Sequence, residues 1–432
     1  MIKLNKNRKN FLFVSHAAYI QDIAWQILKE GHKVKFYIQQ RDEKDVADGF
    51  IPKVNHWHRQ VKWADVIVFD DVGFGKEAQK LRLAGKTVVG GTPYTDKLED
   101  DRAFGQEEMK RFGIKILPYE EFSDFDKAIN YVKRHPGEYV IKPCGDAQNM
   151  KRLLYVGTDP KGKDVIAMLQ HYQKSFAKLM KLFQLQKKVF GVEIAVGAFF
   201  NGFKFIQPVN INFEHKKFFP GDLGPSTGEM GTLTFWDNHN KLFTKTLEKM
   251  APKLVAEGFT GYIDINCIVN ETGIYPLEFT TRFGYPTIYI QQEGIINPIG
   301  EFLYDLAIGQ DVTLKTRTGF QIGVCLVMPP FPYRHVQAYK AFSKGLALEF
   351  KKKDFSGLHI QDLKLINNEW ILTGNMGLVL TAVGLGKTVK QAQEQVYQRI
   401  KNISLPNMYY RQDIGNRWEQ DKIKLKKWGY YK

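Results

Sequence analysis

The sequence is poor in cysteine and has no long apolar run. Cys144, Cys267 and Cys325 are far apart and form no CxxC pair, which argues against both a disulfide framework and a structural zinc site. We expect three reduced thiols, the last two in apolar strands. No apolar run reaches the ~20 residues that a membrane span requires, and the run after the basic N-terminus is too short for a signal peptide. We therefore expect a cytoplasmic chain.

The sequence also has fewer acidic than basic residues. The 432 residues include 62 lysines and arginines against 46 aspartates and glutamates, which gives a net charge of +16. Such a balance favours anionic partners, namely nucleotides, sugar phosphates or nucleic acid. The basic clusters at 349–353 and 421–432 are most simply a solvated face and a frayed end. The sequence has no aromatic RNP strand and no zinc finger, so nucleic acid is a possible partner but not a favoured one.

The first hundred residues lack the GxGxxG turn of dinucleotide-binding domains. Four short apolar segments, FLFVS, KVKFYI, ADVIVFDD and KTVVGG, alternate with stretches of helical spacing. This alternation predicts a parallel sheet. The segment SHAAYIQ follows the first strand where the glycine-rich turn would stand, so we expect no nucleotide at that turn.

The rest of the chain has no internal repeat and no low-complexity linker. Its patterns predict helices over 97–112, through 163–184 and over 240–258. They predict strands over 189–202 and 203–214, and over 138–146 a strand that leads into a loop. Residues 261–284 predict a strand, a turn and a second strand, and 313–417 a small α+β unit. The segment VGLGKT at 383–388 resembles the end of a P-loop, but the full motif requires glycine at position 381, where this chain has Thr381. We therefore interpret the segment as a turn between a strand and a helix.

Two strand segments carry charged residues at positions that require a partner. Lys142 lies between apolar residues near the end of a strand, where an inward lysine is costly unless it faces an anion such as phosphate. Asp264 and Asn266 lie two apart on one face of a strand, and Glu278 follows on the strand that pairs with it. Oxygen ligands at paired strand ends are typical of a magnesium site, with Arg282 four residues further on. A snorkelling lysine and an ordinary polar hairpin are the alternatives.

The stretch GDLGPSTGEMGT at 221–232 has four glycines and a proline. This content of helix and strand breakers predicts a loop rather than a helix or a strand. Consecutive N–H groups in glycine-rich turns can bind an anion, and Asp222 and Glu229 could hold hydroxyls or an ammonium. A purely structural loop is the alternative.

In order along the chain, these segments resemble the phosphoribosylamine–glycine ligase family of ATP-grasp enzymes. FEHKKFFPGDLGPSTGEMGT is similar to the family's DHKR…D-x-GPNTGGMGAY, and PLEFTTRFGYP to its EFN-x-RFGDPE. The family's VIKADG segment is similar to YVIKPCG, and its GPT…LE-x-SKAF segment to GGTPYTDKLEDDRAF. Its GGRVL segment is similar to GNMGLVLTAVGLGKTVKQAQEQVY, and its RKDIG-x-R ending to YRQDIGNR. The resemblance covers about residues 10–417.

This resemblance implies an α/β ATP-grasp fold and a ligase. The family activates the carboxylate of glycine as an acyl phosphate with ATP and magnesium or manganese, and the amine of phosphoribosylamine then attacks it. The substrates are small molecules, and we expect a monomer or a homodimer. The implied parts are a Rossmann-like domain (1–105), a mobile lid with its linker (106–190), a central domain (191–312), a C-terminal cap (313–417) and a basic tail (418–432).

The resemblance also implies roles for individual residues. Lys142, Glu278 and Arg282 match catalytic positions, and Glu278 also matches a metal ligand. Asn266 or Asp264 is expected to complete the metal site, because Thr280 stands at the family's second ligand position. The nucleotide side includes Lys142, Arg102, Lys151, Lys187 and Glu193. The substrate side consists of Asp222, Gly224, Pro225, Ser226, Thr227, Gly228, Glu229, Arg282 and Gly284.

Several positions depart from the family pattern. The lid loop is CGDAQNMKR instead of GLAAGKGV, the adenine hinge EEFL is QKKV, and the N-terminal GNGGRE is absent. Thr280 replaces a metal-ligand asparagine, Tyr285 replaces an aspartate, and Glu229 replaces a glycine. Three alternatives therefore stand beside each other: the family reaction, ligation of a different acid and amine, or a catalytically inactive protein that binds nucleotide or nucleic acid.

Overall fold

A parallel sheet forms the N-terminal unit, as predicted. The computed structural model describes residues 8–148 and 150–431, except for the side chains of Asp146 and Lys151. All four strands are parallel, in the order β2-β1-β3-β4. The strands are β1 (Asn10–Ser15), β2 (Lys33–Ile38), β3 (Val66–Phe69) and β4 (Val88–Val89), and the helices are α1 (Gln21–Lys29) and α2 (Gly75–Leu83).

Two helices connect this unit to the next. They are α3 (Pro93–Asp100) and α4 (Arg102–Arg111), so the prediction of one helix over 97–112 is wrong. Asp101 separates them because its backbone is extended and its side chain accepts a hydrogen bond from the Phe104 N–H, which caps α4.

A four-stranded antiparallel sheet with two helices forms the region predicted to be the lid, which is called the lid below. Its strand order is β5-β8-β6-β7. The predicted helix through 184 ends at Ser175, because residues 183–187 pair with two strands and bury Gln184 and Gln186 in the sheet. The elements are β5 (Tyr119–Phe122), α5 (Phe125–Arg134), β6 (Tyr139–Pro143), β7 (Tyr155–Val156), α6 (Lys163–Ser175) and β8 (Phe183–Lys187).

An eight-stranded antiparallel sheet is the centre of the molecule. Its order is β15-β14-β9-β10-β13-β16-β21-β18, and the last three strands come from the C-terminal part of the chain. The strands up to residue 312 are β9 (Val192–Asn201), β10 (Val209–Glu214), β13 (Gly231–Asp237), β14 (Thr260–Asn270) and β15 (Gly273–Thr280), and β11 (Lys217–Phe219) pairs with β12 (Leu223–Ser226) as a separate ribbon.

Three predictions in this region are wrong. The strand over 203–214 begins only at Val209, after Pro208, which cannot donate to a strand ladder. The helix over 240–258 is divided into α7 (Lys241–Lys245), a 3-10 turn and α8 (Ala251–Ala256), because Thr246 has a non-helical backbone. The glycine-rich stretch is not all loop, since residues 223–226 form a strand.

The C-terminal part completes the central sheet and adds a small sheet of its own. Helix α12 starts at a capping box on Thr388, directly after β21, which confirms the strand–turn–helix interpretation of VGLGKT. The elements from residue 287 onward are α9 (Thr287–Gly294), α10 (Ile299–Ala307), β16 (Phe320–Val327), α11 (Val336–Phe342), β17 (Ala347–Phe350), β18 (Leu358–Ile360), β19 (Leu363–Ile366), β20 (Glu369–Leu372), β21 (Leu378–Gly386), α12 (Val389–Ile400), β22 (Ile403–Ser404) and α13 (Trp418–Lys427).

The basic C-terminal segment is ordered as α13. Trp418 is buried and contacts the rings of Phe213, Phe235 and Phe320, while the lysines of the helix lie mostly at the surface. All three cysteines are free and buried. No helix within the described residues is long and apolar enough to cross a membrane. The domain boundaries, the oligomeric state and the location in the cytoplasm stay predictions.

A buried histidine joins three parts of the fold. His359 on β18 has its Nδ1 2.7 Å from Asp22 Oδ2 of α1 and its Nε2 3.4 Å from Glu293 Oε1 of α9. Its ring also stacks on Tyr289. Burial opposes the charged form of His359, but the two carboxylates outweigh it and raise the pKa to about 9.

We expect the His359→Gln variant to lose stability in a pH-dependent way. The pKa of His359 in the folded protein lies above the unfolded value of about 6.5. The contribution of protonated His359 to the free energy of unfolding is therefore complete below pH 6.5 and is lost as the pH rises through 9. The free energy of unfolding in urea should fall by roughly 3 kcal/mol at pH 6, and the difference should shrink toward pH 9.5. The control is His171→Gln, on the exposed face of α6. A difference that does not vary with pH would contradict the charged assignment.

Candidate functional site

Three elements meet at one cleft. Lid strand β6 brings Lys142, the break between α3 and α4 brings Arg102, and hairpin β14–β15 brings Asn266 and Glu278. A small cavity lies beside them and is lined by Leu98, Glu99, Arg102, Gly105, Gln106, Met109, Gln148, Leu277, Glu278 and Phe279.

Lys142 is a buried cation among other cations. Its side chain is 6 % exposed, and its strand neighbour on β8 is Gln184. Burial lowers the pKa of Lys142 to about 7. The positive charges of Arg102 and Lys216 act in the same direction, while the charge of Glu278 opposes them. An anion entering the cleft would restore the ammonium form.

The facing strands β14 and β15 gather oxygen atoms. Asn266 lies opposite Glu278, and Asp264 lies opposite Thr280. The Asn266 amide donates to Glu214 Oε2 over 3.1 Å, while its buried Oδ1 has no hydrogen-bond partner in the described part of the chain. Burial, and then the charge of Glu214, raises the pKa of Asp264 well above its usual range.

These oxygens suit a hard cation that keeps several water ligands. Residues 8–148 and 150–431 contain no group of three or more His, Cys, Asp or Glu that could hold a metal by themselves. Magnesium, however, needs only one or two carboxylates when substrate phosphates complete its shell. Glu278 and the unpartnered Oδ1 of Asn266 therefore fit Mg²⁺, with Asp264 behind them. The metal-ligand role of all three stays a prediction.

Lys216 is central to the site and was not predicted from the sequence. Its Nζ lies 2.9 Å from Glu193 Oε1 and 3.1 Å from Glu214 Oε2. Burial lowers its pKa, but the carboxylates of Glu214, Glu193 and Glu278 outweigh burial and raise the pKa well above its usual range. Lys216 thus links predicted nucleotide residue Glu193 to the oxygen cluster. The sequence feature that could have pointed to Lys216 is the charged stretch EHKK between two strands.

Arg282 is held by two carboxylates that were also not predicted. Its guanidinium lies 3.2 Å from Glu99 Oε1 and 3.5 Å from Asp71 Oδ1. These charges outweigh burial and raise the pKa of Arg282. Burial raises the pKa of Glu99, while Arg282 and the Thr281 N–H lower it. The arginine is therefore fixed at the cleft beside the N-terminal unit.

The first half of the glycine-rich stretch is bound to the C-terminal part of the chain. The carboxylate of Asp222 accepts hydrogen bonds from Arg411 over 2.9 Å and from Arg417 over 3.2 Å. The Gly221 N–H donates to Asp413. Gly224, Pro225 and Ser226 follow in β12, the glycine exposed and the other two partly exposed. Their role in binding substrate stays a prediction.

The second half of the stretch turns toward the site. The N–H and hydroxyl of Thr227 donate to the Lys216 carbonyl, and Gly228 is exposed. Glu229 is buried and accepts from the hydroxyls of Thr232 and Thr287. Burial, followed by the charge of Glu214, raises the pKa of Glu229 well above its usual range. A Cβ on Gly284 would lie 3.3 Å from that of Thr287, so this side of the site is closely packed.

The remaining predicted nucleotide residues lie on the lid side. Lys187 is exposed at the end of β8, and its N–H donates to the Pro118 carbonyl. The Arg102 N–H donates to Gln148 Oε1 in the altered lid loop. Lys151 begins a 3-10 turn, and its side chain lies outside the described residues. Their nucleotide contacts stay predictions.

Two family models match this chain. The model described as "Phosphoribosylglycinamide synthetase, ATP-grasp (A) domain" matches residues 100–288, and "Phosphoribosylglycinamide synthetase, C domain" matches residues 337–417. Together they cover more than half of the chain. The chain belongs to the phosphoribosylglycinamide synthetase family. The resemblance found in the sequence is therefore confirmed.

Relatives in this synthetase family are distant in sequence. The phosphoribosylamine–glycine ligase of Streptococcus pneumoniae (strain ATCC BAA-255 / R6) is 26% identical over 345 residues, which are 77% of this chain and 79% of that protein. The solved phosphoribosylamine–glycine ligase of Thermotoga maritima is 20% identical with a TM-score of 0.71, over 94% of this chain and 100% of the other.

A second solved structure supports the same fold. The biotin carboxylase of Campylobacter jejuni, solved as a β-γ-ATP complex, is 13% identical with a TM-score of 0.62, over 93% of each chain. These likenesses confirm the predicted ATP-grasp fold.

Replacement of Glu229 by glutamine should stabilise the protein at alkaline pH. The folded-state pKa of this carboxyl is far above the unfolded value of about 4.3, so the wild type loses stability as the pH rises above 4.3, and glutamine removes that loss. Urea unfolding should give equal stabilities near pH 4.5 and a more stable Glu229→Gln variant at pH 8. The exposed Glu369→Gln is the control. A less stable variant at pH 8 would show that the carboxylate form is the folded one.

Proposed function

We propose that this chain is an ATP-dependent carboxylate–amine ligase that joins glycine to phosphoribosylamine. The observation that carries the proposal is the pairing of a cationic lid strand with an oxygen-rich hairpin across one cleft, in a chain of the synthetase family. The products are glycinamide ribonucleotide, ADP and phosphate.

The first step transfers the γ-phosphoryl group of ATP to the glycine carboxylate. A carboxylate oxygen forms the new bond to phosphorus, and the bond to the ADP oxygen breaks. Lys142 and Arg102 would contact the phosphates, and their positive charges would spread the negative charge of the transferring group. Glu278 and Asn266 would hold Mg²⁺, which when bound neutralises phosphate charge.

The second step forms the amide bond. The amine nitrogen attacks the carbonyl carbon of the acyl phosphate, phosphate leaves with the electron pair of the broken C–O bond, and the nitrogen loses a proton. Arg282, whose guanidinium is held by Glu99 and Asp71, would face the acyl phosphate from the central unit. Exclusion of water by the lid prevents hydrolysis of the intermediate.

Turnover should require both the acid and the amine. We expect ADP release from ATP and magnesium only when glycine and phosphoribosylamine, generated in situ, are both present. Glu278→Gln should lower kcat at least about 100-fold, because it removes the carboxylate that would hold the Mg²⁺ ion on the transferring phosphate. Glu271→Gln, at the exposed turn of the same hairpin, is the matched control. ATP binding without turnover under these conditions would overturn the choice of glycine and phosphoribosylamine.

Nucleotide binding should be coupled to protonation of Lys142. Its pKa is about 7 without an anion, and phosphates would raise it. Calorimetry at pH 8 in buffers of different ionisation enthalpy should therefore show uptake of up to about one proton per ATP bound, and almost none at pH 6.

The Lys142→Arg variant tests the source of this proton. Arginine stays charged at both pH values, so the uptake at pH 8 should disappear. The control Lys133→Arg, at an exposed position of α5, should keep it. Equal uptake in wild type and Lys142→Arg would assign the proton to another group.

A further inference from the structure

Glu99 contacts two different parts of the site, one through its side chain and the other through its backbone carbonyl. It lies in the last turn of α3, two residues before the break at Asp101. Its carboxylate faces the central unit, and its carbonyl faces the lid loop. Both contacts border the cavity that also contains Glu278.

The carboxylate of Glu99 contacts both Thr281 and Arg282. Oε2 accepts the Thr281 N–H over 2.6 Å, and Oε1 lies 3.2 Å from the Arg282 guanidinium. The Thr281 hydroxyl is held by the Thr95 carbonyl on the same helix. Both the backbone and the side chain of residues 281–282 are thus oriented from α3.

The backbone of Glu99 is fixed from the lid. Carbonyl groups in the last turn of a helix have no partner within the helix. The Gln148 side chain supplies one, because its Nε2 donates to the Glu99 carbonyl over 3.1 Å while its Oε1 accepts the Arg102 N–H over 2.8 Å. Gln148 therefore connects the end of α3 to the start of α4 from within the altered lid loop.

We propose that Glu99 is a positioning residue that makes the orientation of Arg282 depend on the seating of the lid loop through Gln148. The inference rests on the proposed function, in which Arg282 faces the transferred phosphoryl group. When Gln148 leaves, the end of α3 and the start of α4 each lose one hydrogen bond, and a displacement of Glu99 moves the guanidinium that it holds. A displacement of ~1 Å at a reacting group is enough to lower a rate about 100-fold.

A double-mutant cycle tests this coupling. Glu99→Gln removes the charge that holds Arg282, and Gln148→Glu keeps an acceptor for the Arg102 N–H but replaces the donor to the Glu99 carbonyl. Each variant should lower kcat about 10- to 100-fold and change the KM of the amine less than about threefold. The double variant should be no slower than the slower single variant, within about threefold. Gln170→Glu, exposed on the lid, and Glu107→Gln, exposed on α4, are the matched controls.

A second readout does not require the amine substrate. The ratio of the Kd of ADP to the Kd of ATP, measured with magnesium, reports contacts to the γ-phosphate. Both single variants should lower this ratio about tenfold, and the double variant should lower it no further. If the wild type fails to turn over glycine and phosphoribosylamine, this ratio still tests the coupling, so failure of the proposed function is distinguishable.

Two outcomes would overturn the proposal. One is that the effects of Glu99→Gln and Gln148→Glu multiply, as for independent sites. The other is that Gln148→Glu behaves like Gln170→Glu. If Glu99→Gln does not fold, Gln148→Glu is measured in an Arg102→Gln background, because Gln148 also contacts the Arg102 N–H. An effect on γ-phosphate discrimination through the end of α3 should persist in that background, and its disappearance would overturn the proposal.

Discussion

Compensation of buried positive charge is the constraint on which the site depends. Lys216 and Arg282 are each held by at least two carboxylates, and their charges are stabilised in the folded protein. Lys142 has two cations nearby and is the one of the three with a lowered pKa. The fold thus leaves a place for negative charge at the lid strand, next to an oxygen cluster that requires positive charge. In the proposed function, a nucleotide with its metal ion would supply both.

Some of this could be predicted from the sequence because the signals are local. Inward Lys142 and the hairpin with Asp264, Asn266 and Glu278 follow from strand periodicity and one turn. Glu99 and Lys216 could not be found in this way. Glu99 is 183 residues from Arg282, and its role follows from a contact across the fold. The break at Asp101 was missed because the helical spacing continues through it.

The glycine-rich stretch shows the same limit in another form. Its composition indicates a loop that holds an anion, yet Asp222 is paired with Arg411 and Arg417 from the end of the chain. Only the tertiary fold brings these arginines to it. The stretch is consequently anchored at one end by the C-terminal part, while Thr227 and Glu229 at its other end border Lys216 and Thr287.

The continuous central sheet has a consequence for dissection of the protein. Strand β13 pairs with β16 from Gly231↔Val324 to Thr234↔Gln321, across the boundary predicted at residue 312. A chain shortened at residue 312 would expose β13 as a new sheet edge, with a row of unpaired N–H and C=O groups. Such an edge is a template for pairing with another chain, so the shortened protein would tend to aggregate. The parts of the chain before and after residue 312 are therefore best expressed and studied as one protein.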